Sequence, residues 1–304
     1  MIDRIPASDG ALDSKGTSIM VYPDGTIIGN KYSINYLNTK DKEIILYLAK
    51  EVNIQKESEG FLGMISSFFT NKEKNLKKFI IKESTAIKSL VRLANEKETL
   101  IRLVHPSIIR VLDFFTFENS CYLVQEYIEG ELMEKLIKSN PDFIAEKIVL
   151  KWILKIAEIL EYIHNMQPPV IHRDIKPDNI MITVEGNIKL IDFGLSKIHI
   201  EAPVKRGDTA RVGTLGFVPP EQLQGTRQTD CRTDIYSLGA TMHYLLTKHY
   251  PGDSPYEFPP VRTINPSVSE HIEKVIQKAL QKDMENRFTS IPEMKEALIG
   301  YQAE

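Results

Sequence analysis

The sequence predicts an α+β protein in which a strand-rich first part is followed by a mainly helical second part. Up to Tyr127 the apolar residues fall mostly in short runs of strand length, such as Phe79-Ile80-Ile81, which is typical of β-strands. After Gly130 they recur at three- and four-residue steps, which is typical of helices that pack one face on a core. The change of pattern near residue 128 therefore predicts two structural parts.

The first part is predicted to hold a sheet, one helix and an insert. Residues 1–26 are interpreted as an N-terminal extension with one turn at Pro23-Asp24-Gly25. Ser84 is placed to cap a helix that continues to Ile101. Residues 53–76 are charged and irregular, and they form an insert between two strands. Strands are predicted for residues 32–38, 43–52, 77–82, 109–117 and 121–127.

The second part is predicted to be built around a long amphipathic helix. Between Val149 and Ile163 apolar side chains repeat at helical spacing. Two short strands follow further on, and the turn Glu185-Gly186-Asn187 joins them. These strands are predicted for residues 180–183 and 188–191, and the last helices for residues 267–281 and 291–301.

The composition indicates a globular protein and argues against several functional classes. Hydrophobic residues make up 42% of the 304 residues and charged residues 26%, and the net charge of −3 gives no general case for nucleic-acid binding. Cys121 and Cys231, the two cysteines, offer neither a disulfide framework nor metal-ligand spacing. Residues 1–14 have no apolar run, and no stretch is long enough for a transmembrane segment. We therefore expect a cytoplasmic protein.

The strongest functional signal is the segment His172-Arg173-Asp174-Ile175-Lys176-Pro177-Asp178-Asn179, which is followed 13 residues later by Asp192-Phe193-Gly194. Phosphoryl transfer needs a carboxylate that orients the attacking hydroxyl and accepts its proton, and Asp174 suits this role. Lys176 can neutralise charge on the transferred group. Asn179 and Asp192 are oxygen donors of the kind that Mg²⁺ prefers.

This pattern resembles the catalytic domain of eukaryotic-type serine/threonine protein kinases, in a bacterial-like form, over residues 27–301. The resemblance implies a two-lobed kinase fold with a small antiparallel β-sheet lobe that has one helix and a larger, mainly α-helical lobe. The lobes would span residues 27–128, with the insert 53–76, and residues 129–304. It also implies ATP and Mg²⁺ as cofactors and serine or threonine side chains of proteins as acceptors.

The same resemblance assigns the catalytic residues. Asp174 is the catalytic base, and Asn179 and Asp192 are metal ligands that also belong to the cofactor site. Lys176, two positions after Asp174, is typical of the serine/threonine class.

The strand lysine and helix glutamate of the family also have counterparts. Lys82, at the end of Phe79-Ile80-Ile81-Lys82, matches the lysine that contacts the α- and β-phosphates, and Glu96 matches the glutamate that pairs with it. Glu98 is the alternative, but a shift of two residues turns a side chain about 200° around a helix.

The hinge that meets adenine corresponds to Gln125-Glu126-Tyr127-Ile128. The resemblance assigns Glu126, Ile128 and Met181 to the cofactor site and makes Gln125 the gatekeeper. Two scaffold contacts are implied as well. Glu221, at the end of the substrate-facing segment, would pair with Arg287, and Asp234 would brace the catalytic loop.

Regulation is expected in the segment between Asp192 and Glu221. Thr209 is the predicted activating phosphorylation site, and Arg173 could pair with its phosphate. A plain exposed threonine is the alternative for Thr209. Thr214 matches the threonine that the family places against the catalytic aspartate.

The chain departs from the family pattern at three places. The turn at residues 38–43 has no glycine, so it would lie further from the nucleotide or use Lys40 or Lys42 as a charge. Ile80 replaces a smaller residue and would narrow the adenine pocket. Apolar residues within 61–69 favour a short helix packed on the small lobe, with docking to a partner or a membrane surface as the alternative.

Two other functions stay open at this point. A pseudokinase that binds or scaffolds would explain the turn without glycine. A small-molecule phosphotransferase of related fold would have no use for Pro219-Pro220-Glu221 and its partner Arg287.

Overall fold

The structure is a computed structural model, and it describes residues 3–8, 18–40, 43–52, 77–84, 86–199, 213–224 and 229–300. The chain divides into two compact units. The small unit comprises Met1–Ile101 and Arg110–Tyr127, and the large unit comprises Arg102–Ile109 and Ile128–Glu304.

The small unit is built on an antiparallel sheet with strand order β3-β4-β5-β6-β8-β7. A separate pair, β1 with β2, precedes it. One helix, α1 (Ile87–Leu100), follows β6. The strands are β1 (Ile5–Pro6), β2 (Met20–Val21), β3 (Thr26–Ile28), β4 (Tyr32–Lys40), β5 (Ile44–Glu51), β6 (Lys78–Ser84), β7 (Val111–Phe117) and β8 (Ser120–Glu126).

Different residues pack on the two faces of this sheet, because side chains alternate along each strand. On one face, Leu93 of α1 packs with Ile44 and Leu123 in an apolar cluster. The other face belongs to a larger cluster in which Val21 and Tyr22 of the N-terminal region pack with the sheet. Residues ahead of β3 therefore contribute to the core of the small unit.

The large unit is mainly helical. Its helices are α2 (Met133–Ser139), α3 (Glu146–His164), α4 (Pro220–Gln224), α5 (Cys231–Thr247), α6 (Val261–Ile264), α7 (Glu270–Ala279) and α8 (Ile291–Ile299). Its strands are β9 (Gly130–Leu132), β10 (Val170–Ile171), β11 (Ile180–Thr183), β12 (Ile188–Leu190) and β13 (Lys197–Ile198). β12, β11 and β9 form one sheet, and β10 pairs with β13.

Three helices of the large unit, α5, α7 and α8, begin at a side chain that accepts a hydrogen bond from a free amide. The carboxylate of Asp230 accepts from the Arg232 amide at the start of α5, the Ser269 hydroxyl caps α7 and the Ser290 hydroxyl caps α8. Such caps stabilise a helix by about 1 kcal/mol each. Apart from Arg232, the residues of α5 are buried almost throughout, so this helix forms the centre of the large unit.

Some sequence-based expectations need correction or lie outside the described residues. Ser84 is not a helix cap, because it continues β6, and α1 begins after Ala86 without a side-chain cap. The insert 53–76, with its apolar stretch 61–69, is outside the described residues. The same holds for Lys42 in the turn without glycine. Among the helices that the structure describes, none has the length and apolar character needed to span a bilayer.

Candidate active site

The backbone of the catalytic segment, residues 172–179, is held in place by a carboxylate of α5. The amides of His172 and Arg173 donate to the two oxygens of Asp234 at 2.8 and 2.7 Å. Arg173 has a positive φ of 69°, which is uncommon for a side chain of this size. The two hydrogen bonds to Asp234 hold this turn, so the predicted bracing role of Asp234 is present.

His164, at the end of α3, is a second partner of Asp234 that sequence reasoning missed. Its Nε2 lies 2.8 Å from Asp234 Oδ2. Burial opposes charge on the imidazole, but the hydrogen bond to Asp234 raises the pKa of His164 to about 9. Burial of Asp234 would raise its pKa, yet its hydrogen bond with His164 keeps that pKa low. The two side chains therefore form a buried ion pair beneath the catalytic segment.

The Asp174 carboxylate has one oxygen in use and one without a partner. Asn179 Nδ2 donates to Asp174 Oδ2 at 2.7 Å and to the Asp174 carbonyl oxygen at 2.8 Å. Lys176 Nζ lies 3.2 Å from Oδ2. Oδ1 is buried and makes no hydrogen bond with any of the described residues. Buried carboxylate oxygens are normally satisfied, so this atom is placed to receive a donor from outside the chain.

Lys176 links the catalytic aspartate to the later segment. Its ammonium group donates to the Thr214 hydroxyl as well as approaching Asp174. Lys176 is buried, and its positive charge lies beside the Asp174 carboxylate. Thr214 is thus brought to the catalytic segment, whereas Thr209 lies outside the described residues.

Asn179 and Asp192 are brought together by a hairpin. In the β11–β12 pair, Ile180 lies opposite Leu190, and the Ile191 amide donates to the Asn179 carbonyl oxygen at 3.1 Å. Asp192 therefore follows directly on the residue that pairs with Asn179. Asp192 Oδ1 accepts from the Gly194 amide at 3.0 Å, which fixes its carboxylate.

These two side chains fit a magnesium ion that carries other ligands. Among the described residues, no group of three or more His, Cys, Asp or Glu side chains has the arrangement of a metal site. Mg²⁺ is commonly held by one or two carboxylates together with phosphate oxygens and waters. One carboxylate and one amide oxygen, fixed by the hairpin and by Asp174, agree with that type of site.

The small unit contains a buried cluster of three polar side chains. Lys82 Nζ on β6 lies 2.6 Å from Glu96 Oε1 on α1. Gln125 on β8 donates to the same oxygen through Nε2 at 2.9 Å. All three side chains are buried, whereas Glu98 is exposed. The predicted pairing of Lys82 with Glu96 is present, and the contact of Gln125 was not foreseen.

The residues that are predicted for the cofactor site lie at the end of β8, just after it, and within β11. Glu126 is the last residue of β8, and its carboxylate pairs with Arg110 at 3.1 Å. Ile128 is buried in the large unit. Met181 is half-buried on β11, where it pairs with Leu132.

The predicted scaffold ion pair is also present. Arg287 makes two parallel hydrogen bonds to Glu221, at 2.7 and 2.9 Å, and its side chain is completely buried. Gln222, which follows Glu221, donates to the Arg173 carbonyl oxygen at 2.9 Å. The start of α4 is therefore attached to Arg287 and to the catalytic segment.

Taken together, the arrangement around Asp174 and the two types of unit are those of a protein kinase catalytic domain. A sequence model of the protein kinase domain matches residues 59–299. The chain belongs to the protein kinase family, and the predicted α+β kinase fold is confirmed. Members of this family use ATP, typically with Mg²⁺, and the serine/threonine members act on serine or threonine side chains of proteins.

Individual relatives are serine/threonine kinases of bacteria. A probable serine/threonine-protein kinase of Clostridium perfringens is 30% identical over 281 residues, which cover 89% of this chain and 38% of the relative. Serine/threonine-protein kinase PknB of Mycobacterium leprae is 32% identical over 224 residues, which cover 69% of this chain and 35% of the relative. The chain thus spans little more than a third of the length of these curated relatives.

A solved structure supports the fold alone. The crystal structure of the Mycobacterium tuberculosis PknI kinase domain is similar with a TM-score of 0.67 and 21% sequence identity. The similarity covers 92% of this chain and 99% of that chain.

Proposed function

We propose that this chain transfers the γ-phosphoryl group of ATP to serine or threonine hydroxyls of proteins. The observation that carries the proposal is the state of the Asp174 carboxylate, in which Asn179 holds Oδ2 and Oδ1 is buried without a partner among the described residues. A substrate hydroxyl is a donor that would satisfy Oδ1. The serine/threonine kinase relatives support the same reaction.

In this proposal Asp174 accepts the hydrogen bond of the substrate hydroxyl at Oδ1 and takes its proton as the oxygen attacks. Asn179 keeps the carboxylate in one orientation, because its amide is bonded to both the side chain and the backbone of Asp174. Lys176 supplies a fixed positive charge beside the place where negative charge develops on the transferred group.

Asn179 and Asp192 are the residues that would hold Mg²⁺, which when bound would neutralise phosphate charge. By resemblance to the family, Lys82 is assigned to the α- and β-phosphates and Glu96 to orienting Lys82. Glu126 and Ile128 of the hinge are assigned to the adenine base and Met181 to the cofactor site on the same basis. The division of the chain into an N-terminal lobe at residues 27–128 and a C-terminal lobe at residues 129–304 is also part of this proposal.

Regulation by phosphorylation of Thr209 is proposed from the sequence. The segment between Asp192 and Glu221 carries Thr209, and the catalytic segment carries Arg173, whose guanidinium could pair with a phosphate. Phosphopeptide mass spectrometry of the purified chain after incubation with ATP, compared with Thr209→Ala, tests the assignment of Thr209.

A cytoplasmic location, based on the sparse cysteines, also stays a prediction.

The test of the main proposal is transfer from γ-labelled ATP to a generic protein substrate in the presence of Mg²⁺. Asp174→Asn keeps the shape of the side chain and removes the proton acceptor, so we expect transfer to fall by about 10²-fold or more. ATP-dependent thermal stabilisation should remain, because Asp174 is not assigned to the nucleotide. An Asp174→Asn variant with wild-type transfer would contradict the assignment, and so would a wild-type chain that binds ATP without transferring phosphate.

A further inference from the structure

A second buried polar site lies in the small unit, on the sheet face that does not pack against α1. Glu83 follows Lys82 on β6 and points to the opposite face, because side chains alternate along a strand. The Glu83 residue is 0% exposed. A carboxylate in such a position is unfavourable unless it is paired with a charge and fully hydrogen-bonded.

Two tyrosines of neighbouring strands provide hydroxyl donors to Glu83. Tyr47 of β5 donates to Glu83 Oε2 at 2.9 Å, and Tyr122 of β8 donates to Oε1 at 2.8 Å. Burial and then the Glu83 charge raise the pKa of both tyrosines. Both hydroxyls therefore keep the protons that they donate.

The opposite charge comes from Arg4, which lies 79 positions earlier in the chain than Glu83. Its Nη1 lies 3.4 Å from Glu83 Oε2, and its Nη2 donates to Oε1. Nη2 also lies 3.2 Å from the Ser120 hydroxyl. The guanidinium carbon lies 4.2 Å from the centre of the Tyr22 ring. The site thus offers a carboxylate with two oxygens, a hydroxyl and an aromatic face to one planar cation.

The features of this site select a guanidinium over an ammonium group. A guanidinium can donate to two carboxylate oxygens in one plane and stack on an aromatic ring at the same time, whereas an ammonium is a point charge. Arg4 lies well before residue 59, where the match to the kinase domain begins. It therefore lies outside the part of the chain that the family model matches.

We propose that Glu83, Tyr47, Tyr122, Ser120 and Tyr22 form a guanidinium-binding site whose occupant is Arg4 of the same chain. The site fastens residues 3–8 onto the sheet. The backbone bond from the Ala7 amide to the Ile19 carbonyl oxygen, at 2.8 Å, and the β1–β2 pair continue the attachment. This proposal is independent of phosphoryl transfer, so it holds or fails whatever the activity of the chain.

The first experiment is thermal unfolding of the full chain with single substitutions. Arg4→Ala leaves Glu83 without its counter-ion, and we expect the Tm to fall by about 5 °C. Arg4→Lys should lower the Tm by less than Arg4→Ala does, because an ammonium can pair with Glu83 but cannot donate to both carboxylate oxygens in one plane. Arg262→Ala, which removes an exposed arginine of α6, is the matched control and should leave the Tm unchanged.

The decisive experiment is chemical rescue of Arg4→Ala. Millimolar ethylguanidinium should raise the Tm of Arg4→Ala with a saturable dependence on concentration, whereas ethylammonium at the same concentration should not. The wild-type chain and the double variant Arg4→Ala/Glu83→Gln should show no gain. Where Arg4→Ala does not fold alone, the yield of folded protein after refolding with each additive makes the same comparison.

Three results would overturn the proposal. The first is a Tm of Arg4→Ala equal to that of the Arg262→Ala control. The second is equal rescue by ethylguanidinium and ethylammonium, and the third is the same gain in the wild-type chain as in Arg4→Ala.

Discussion

Gln125 donates a hydrogen bond to Glu96 at 2.9 Å, on the same carboxylate oxygen that Lys82 approaches to 2.6 Å. The carboxylate of Glu96 is therefore held from two sides, by β6 and by β8. Both contacts are buried, where hydrogen bonds to charged groups are strong and costly to lose. Gln125 thus helps to keep α1 attached to the strand that carries Lys82.

Replacing Gln125 with leucine should weaken this attachment. The change keeps the volume roughly constant and removes the donor, so we expect the free energy of unfolding to fall by about 2 kcal/mol. Because Lys82 and Glu96 are assigned to nucleotide binding, the KM for ATP should rise about tenfold. Denaturant unfolding and steady-state kinetics measure the two effects. Gln277→Leu, on the exposed face of α7, is the control, and equal behaviour of the two variants would refute the role of Gln125.

The buried pair of Arg287 and Glu221 should be among the most sensitive points of the large unit. Arg287→Ala leaves the Glu221 carboxylate buried with Thr233 as its one remaining side-chain donor among the described residues, and we expect a loss of about 3–5 kcal/mol in the free energy of unfolding. Lys155→Ala disrupts an exposed pair with Glu158, in which the side chains are 56% and 47% exposed, and should cost less than about 0.5 kcal/mol. Similar losses from the two substitutions would show that burial does not matter here.

The pair of His164 and Asp234 should make stability depend on pH. The pKa of His164 is raised from 6.5 to about 9, so its contribution is fully present below pH 6.5 and is lost as the pH rises through about 9. The lowered pKa of Asp234 adds stability at pH values above 3.8, which is the ordinary pKa of an aspartate. That contribution is lost as the pH falls below this value.

The comparison of the wild-type chain with His164→Gln isolates this effect. The difference in unfolding free energy between the two should shrink by up to about 3 kcal/mol as the pH rises from 6.5 to about 9. Cys231, which also hydrogen-bonds to His164, and His172, which interacts electrostatically with Asp234, both remain in the variant. A difference that stays constant over this interval would rule out the ion pair.

Gly216 should resist substitution because the chain passes close to it. Its φ is +90°, and an added Cβ would collide with the Pro251 carbonyl group. Gly216→Ala should therefore cost about 2–4 kcal/mol from the positive φ and the overlap together. Gly186 has a similar φ of +79° but nothing within 4 Å of its Cβ position, so Gly186→Ala should cost only about 1 kcal/mol. Equal losses in denaturant unfolding would show that the segment around Gly216 can move aside.

The catalytic segment could be predicted because its residues are close in sequence. Asp174, Lys176 and Asn179 lie within one short segment, and the hairpin that adds Asp192 is signalled by two apolar runs around a glycine. Spacing of this kind fixes which side chains meet, since few backbone paths connect them.

Contacts between distant segments that the family resemblance did not imply could not be predicted in the same way. Gln125 and Glu96 are 29 positions apart, His164 and Asp234 are 70 apart, and Arg4 and Glu83 are 79 apart. Each pair depends on strand register or on how two helices pack, and single-sequence patterns do not determine these. Ser84 shows that a local pattern can also mislead. Serine is a good capping residue, but Ser84 lies in a strand because β6 pairs with β5 and β8.

The most direct test of the account is analysis of which amino acids become labelled by γ-labelled ATP and Mg²⁺ in the wild-type chain and in Asp174→Asn. We expect phosphoserine and phosphothreonine, without phosphotyrosine, from the wild-type chain, and loss of about 10²-fold or more of that label in the variant. Labelled tyrosine from the wild-type chain, or undiminished labelling by Asp174→Asn, would contradict it.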